Sequence, residues 1–163
     1  MHLEKLEEWL RSLRQEDDLL VGEIRVPFLS QEDPIEVCFV GQQSAVTDNQ
    51  LNTMRGYLER VEDYHAKAVE RIFNEYQATI EISREAFREW KENPDVSAPR
   101  IDKPDELASL LVYQSMFIPA WREVGTFGMG FWAKWEVEHG VGLRFEDWQI
   151  SEAGENAVHF QFG

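Results

Sequence analysis

Trp135-Glu136-Val137-Glu138-His139-Gly140-Val141-Gly142-Leu143-Arg144-Phe145 decides how the second half of this chain is read. A polar run ends in two glycines one residue apart, and apolar residues then stand at alternate positions. Gly140 suits a tight turn because glycine takes positive φ without steric penalty, and Gly142 permits close approach or a bulge. Trp135 and Phe145 then anchor the two arms of a hairpin whose turn carries Glu136, Glu138 and His139. The alternation continues outward. Phe127, Met129 and Phe131 alternate with Gly128, Gly130 and Trp132, and Val141, Leu143 and Phe145 with Gly142, Arg144 and Glu146. Period two of this kind marks strands with one buried face. A turn at Asp147-Trp148 leads into Gln149-Ile150-Ser151, and Val158, Phe160 and Phe162 predict a closing strand.

The amino-terminal half mixes helix and strand. Leu3, Leu6, Leu10 and Leu13, with Trp9 beside them, predict an amphipathic helix of about 13 residues that ends at Gln15-Glu16-Asp17-Asp18. Residues 19–28 and 35–40 read as strands around a hairpin loop at Ser30-Gln31-Glu32-Asp33-Pro34, with Pro27 at an end or edge. After a cap at Thr47 or Asp48 comes the clearest helical signal. Leu51, Met54, Leu58, Val61, His65, Ala68 and Ile72 step by three and four, and the stripe runs on to Ile80, Phe87 and Trp90. The β-branched cluster Thr79-Ile80-Glu81-Ile82 predicts a break near there, and Asn93-Pro94 stops the helix. A Pro-rich loop, a helical element from Pro104 through Val112 with Asp102 as its cap, and a weak strand over 114–119 follow. The fold class is α+β: an antiparallel sheet packed against one long helix, continuous or broken. Residues 1–163 form a single domain, with 1–16 as an appended N-terminal helix.

Composition narrows the function. The chain has 163 residues and a net charge of −15. Residues 1–40 hold 10 acids and 4 bases, and residues 93–163 hold 11 and 5, so the acidity is greatest at the two ends. Nucleic-acid backbones and anionic membranes both need basic patches, so neither is an expected partner. A field of this sign serves solubility, or it captures a basic protein. The start of the chain lacks the basic, apolar and small-residue regions of a signal peptide, and no apolar run approaches the roughly 20 residues of a bilayer span. A cytoplasmic protein is expected. Cys38 is the one cysteine and lies in Val37-Cys38-Phe39-Val40, where a buried thiol is the natural state.

Catalytic motifs are sparse. Gly125-Thr126-Phe127-Gly128-Met129-Gly130 lacks the lysine of a phosphate loop and the spacing of a dinucleotide fingerprint. Its glycines instead leave space for something bulky on the face opposite Phe127, Met129 and Phe131. The four histidines, His2, His65, His139 and His159, are scattered singly, without the one-turn spacing of zinc ligands, so neither metal nor cofactor is expected. His65 sits on the helical core stripe and reads as a hydrogen-bonded core histidine. Tyr57, Tyr64 and Tyr76 either pack beside that stripe or form a recognition face, tyrosine being frequent at interfaces.

Trp135 to Leu143 resembles the hairpin of a bacterial domain family of unknown function with the pattern Trp-Asp-x-Glu-His-Gly-x-Gly before an apolar strand; Glu136 stands here in place of the Asp. Ile150-Ser151-Glu152-Ala153-Gly154 is similar to the strand and glycine that follow in that family. Its members resemble immunity proteins that accompany secreted toxins. The resemblance implies an α+β protein, not an enzyme, that binds and neutralises a basic toxin or effector domain. The candidate partner-binding residues are Trp132, Trp135, Glu136, Glu138, His139, Tyr57 and Tyr64, with Gly140 and Gly142 as structural turn residues. The rival expectation is a metal-dependent hydrolase centred on Glu136, Glu138 and His139.

Overall fold

A computed structural model describes residues 3–42 and 44–163. Seven strands form one sheet in sequential order: β1 (Arg14–Glu16), β2 (Leu19–Ile24), β3 (Ile35–Val40), β4 (Leu111–Pro119), β5 (Phe127–Ala133), β6 (Val141–Glu146) and β7 (Gln149–Gly154). Every neighbouring pair is antiparallel except β3 and β4. A parallel pair needs a long crossover. Here it contains helices α2 (Asp48–Glu59) and α3 (Val61–Glu89), which cover one face of the sheet.

The alternation seen in the sequence becomes two faces. Phe39, Val37, Met116, Ile118, Phe127, Met129, Phe131, Leu143 and Phe145 turn toward the helices and are buried. The rings interlock, with Phe127 stacked on Phe145 at 4.5 Å between centroids. From α3, Tyr64, Ala68, Ile72, Tyr76, Ile80 and Phe87 descend onto this layer at helical spacing.

The expected helix break lies elsewhere. The chain bends at Arg60 (φ −130°), and α3 then runs 29 residues through the β-branched cluster. Weak helix propensity costs only a few tenths of a kcal/mol per residue, and burial of Ile80 outweighs it. The bend has its own cause. Eight positions along a straight helix lie about 12 Å apart, yet the Tyr57 hydroxyl and His65 Nε2 meet at 2.5 Å.

Four further expectations are corrected. The N-terminal helix is short: a 3-10 turn (Leu3–Lys5), then α1 (Leu6–Arg11), ended where Ser12 Oγ donates to the Trp9 carbonyl. Trp9 and Leu13 lie on Gly22, where a Cβ would stand 2.6 Å from Leu13, and residues 14–16 pair with β2 instead of continuing the helix. The first long strand stops at Ile24, short of Phe28. A 3-10 turn over Pro104–Ser109 gives way at Leu111 to β4, because Leu111 and Tyr113 pair with Ala133 and Phe131; the Glu106 carboxylate, and not Asp102, takes the free N–H groups at its start. Finally, residues 158–162 form no strand.

That last segment instead caps the second face of the sheet. The 3-10 turn Asn156–His159 and the tail to Phe162 cross Gly128, Gly130 and Gly142, and the His159 imidazole rests on Gly130. This is the bulky cover that the glycines imply. Arg144 donates to the carbonyls of Val158 and Gln161, and Arg122 to that of Phe162. Ser115 Oγ donates to His159 Nε2 at 3.0 Å, while Nδ1 donates to the Asn156 carbonyl. Burial lowers the pKa of this histidine.

Candidate functional site

The β5–β6 connection, residues 134–140, is longer than a tight hairpin. Its sharp part is one turn in which the Gly140 N–H reaches the Glu136 carbonyl at 2.8 Å. Gly140 has φ +63°, as its position requires, and a Cβ there would stand 2.8 Å from the Phe131 carbonyl. A Cβ at Gly142 would stand 2.6 Å from the carbonyl of Glu155. Phe145 anchors its arm in the core, and Trp135 folds back onto Tyr76 of α3, edge to face at 4.7 Å.

Trp135 thereby divides a groove that runs along α3. On one side, Ile72, Tyr76, Leu143 and Ala153 line a cavity of about 240 Å³, with Glu75, Glu136 and Glu155 at its mouth. On the other, Ala86, Phe87, Trp90 and Val137 line a wider hollow of about 470 Å³, edged by Glu92, Glu136 and Glu138. Large apolar side chains are exposed here: Ile82 is 75% exposed, Trp90 64% and Val137 62%. A clustered apolar surface rimmed by charge is a mark of an interaction site.

The expected recognition residues separate on this geometry. Trp135 and Glu136 line the groove, Glu138 lies on its rim, and His139 stands beside it with Nδ1 3.2 Å from Glu136. That hydrogen bond, and then the charges of Glu155 and Glu138, raise the His139 pKa. Trp132 is half-buried on the opposite face of the sheet from Phe131. Tyr57 and Tyr64 are buried in the core and offer a partner no surface. Tyr57 belongs to a closed polar chain. Tyr113 and Tyr57 hydroxyls meet at 3.2 Å, Tyr57 donates to His65 Nε2, and His65 Nδ1 donates to the Pro27 carbonyl. Burial holds this neutral histidine down to a pKa of about 4.

Ile82, Trp90 and Val137 were not foreseen as surface groups. Trp90 reads as an extension of the core stripe, but α3 ends at Glu89 and leaves it outside. Ile82 carried a usable signal, since two residues on from buried Ile80 a helix points the other way. Among the described residues, no group of three or more His, Cys, Asp or Glu side chains is placed to hold a metal ion, and Glu136 and His139 pair without a third ligand. No helix among them is long and apolar enough to cross a membrane.

No curated protein and no solved structure matches this chain. One family model does, over residues 9–160, from Trp9 on Gly22 to the strap that crosses Gly128 and Gly130. The chain belongs to the family described as Domain of unknown function (DUF6985).

Proposed function

We propose that this chain is an acidic cytoplasmic binding protein of the immunity or inhibitor kind, which neutralises a basic toxin or effector domain without catalysis of its own. The observation that carries the reading is the groove beside Trp135. Ile82, Trp90 and Val137 stand in water beside Glu92, Glu136 and Glu138, next to half-buried Trp135, and tryptophans of this kind are frequent anchors of binding energy. Covering a solvated apolar patch of this kind removes surface from water at a gross gain of about 25 cal/mol per Å², part of which the lost freedom of association offsets. The net charge of −15 adds long-range attraction for a cationic surface and speeds encounter at low salt.

Co-expression tests the reading. The product of the neighbouring gene is expressed alone and together with this chain, and growth and co-purification are measured. Rescue of growth with retention in a 1:1 complex supports the proposal, as does an association rate that drops steeply as salt rises. A neighbouring product that is neither toxic nor retained would remove the immunity reading, and a salt-independent rate would remove its electrostatic part.

A further inference from the structure

We infer that the partner engages this groove by strand addition: a basic, extended segment pairs with the free edge of β7 and lays its side chains under α3. The inference rests on the binding function just proposed and specifies its geometry. β7 is the last strand of the sheet and, among the described residues, has β6 as its only strand neighbour. Among the described residues, no turn, loop or cap hydrogen bond engages the backbone of 149–154. A strand edge of this kind presents unpaired N–H and C=O groups, which proteins usually blunt with Lys or other charges, Pro, a β-bulge or a very short strand. β1, the other edge, is three residues long. β7 has six residues, Gln-Ile-Ser-Glu-Ala-Gly, with neither Lys nor Pro; its one bulge is at Ser151, and Ile150 and Glu152 on either side of it keep their partners in β6.

On the Ala153 side of Trp135 the groove follows this edge. Lys67, Glu70, Arg71 and Asn74 of α3 face Gln149 and Ile150 at one end, and the cavity beside Trp135 meets Ala153 and Gly154 at the other. An added strand of six residues spans about 20 Å, and its alternate side chains point into the space between α3 and the edge. Charge selects the occupant and its direction. The end near Gln149 is mixed in sign, whereas Glu75, Glu136 and Glu155 surround the end near Gly154. A Lys or Arg side chain belongs there. A second copy of this chain would bring its own acids to the same place, and like charges repel across paired strands.

The test uses the full 15N-labelled chain and two capped decapeptides, (Lys-Val)5 and (Glu-Val)5, read by amide hydrogen exchange. Strand addition requires (Lys-Val)5 to slow exchange of β7 amides at least tenfold and (Glu-Val)5 to leave them unchanged. Glu146 and Gln149 flank a two-residue turn and so bond each other, which leaves the Ile150 N–H facing outward. Ile150→Pro removes that donor without deleting a β6–β7 hydrogen bond, although it also trims a half-buried side chain, and is expected to abolish the protection. Should that variant fold poorly, Glu75→Lys combined with Glu155→Lys is expected to weaken (Lys-Val)5 binding at least tenfold. If (Lys-Val)5 perturbs only the Trp90 and Val137 end, strand addition falls while the groove stands as a binding surface. Equal protection by both peptides, no binding at millimolar concentration, or a peptide-free dimer with β7 already protected would each overturn the inference.

Discussion

Lowering the pH from 7 to 5 should strip this fold of about 2 kcal/mol through His65 alone. In the folded chain His65 is buried and neutral, with Nδ1 donating to the Pro27 carbonyl and Nε2 accepting from Tyr57. Protonation would force the Tyr57 hydroxyl to turn from donor to acceptor and place a charge among Phe28, Tyr57 and Tyr113. Its pKa is therefore held at about 4 against 6.5 for the ordinary group. Between those values the unfolded chain binds more protons than the folded one, so stability rises with pH across that window. The full difference is worth about 3 kcal/mol below pH 4, of which about 2 kcal/mol is lost by pH 5. That is a large fraction of a typical domain's 5–15 kcal/mol. Urea unfolding at pH 7, 6 and 5 measures it, and His65→Gln, which retains a donor and an acceptor, should flatten the dependence. His159 shifts the same way and leaves a residual slope in that variant. His139, whose pKa is raised, opposes them, favouring the fold below about 6.5 and losing that contribution as pH rises through its folded value. Asp95 is held below its usual value by Arg84, and its stabilisation disappears only as pH falls beneath about 4, outside the window. Identical pH dependence in wild type and His65→Gln would refute the assignment.

Other outcomes follow from the same geometry. Gly140→Val places a β-branched residue at φ +63° and should cost more than about 1 kcal/mol, seen as a lower Tm; an unchanged Tm would mean φ is not positive there. Gly128→Ala drives a methyl group into the His159 backbone, so the C-terminal strap should lift and become cleavable by thermolysin beyond Glu155 at a cost of about 1–3 kcal/mol. Val137→Asp and Trp90→Ala, both on exposed side chains, should change stability by less than about 0.5 kcal/mol while weakening partner binding at least tenfold in calorimetry. The Cys38 thiol, pushed up to about 12 by burial and then by Glu36, should resist iodoacetamide at pH 8 until the chain is unfolded.

The sequence by itself determined the period of the long helix and of strands β5 and β6. Strict alternation in 127–131 and 141–145 places one set of side chains on each face of a strand, and no tertiary partner is needed to see it. The three-and-four stepping through His65, Ala68 and Ile72 likewise fixes which side of α3 is apolar, whereas in α2 the buried side is Gln50, Thr53, Met54 and Tyr57, with Leu51 and Leu58 only half-buried. Gly140 was legible because positive φ is a local demand, and the space over Gly128 and Gly130 because a missing side chain is visible in one dimension. Tertiary structure decided where elements stop and what they face. Arg60 breaks the helix so that Tyr57 can reach His65, a requirement no residue near position 60 announces. Val158, Phe160 and Phe162 alternate like a strand, yet the chain there becomes a strap, because Arg144, Arg122 and the glycine floor hold its carbonyls where no strand edge lies. The groove was hidden for the same reason. Trp90, the loop carrying Trp135 and Val137, and Glu155 are separated in sequence, and exposure is a property of the packed assembly: a tryptophan reads as core until the helix beneath it ends one residue too soon.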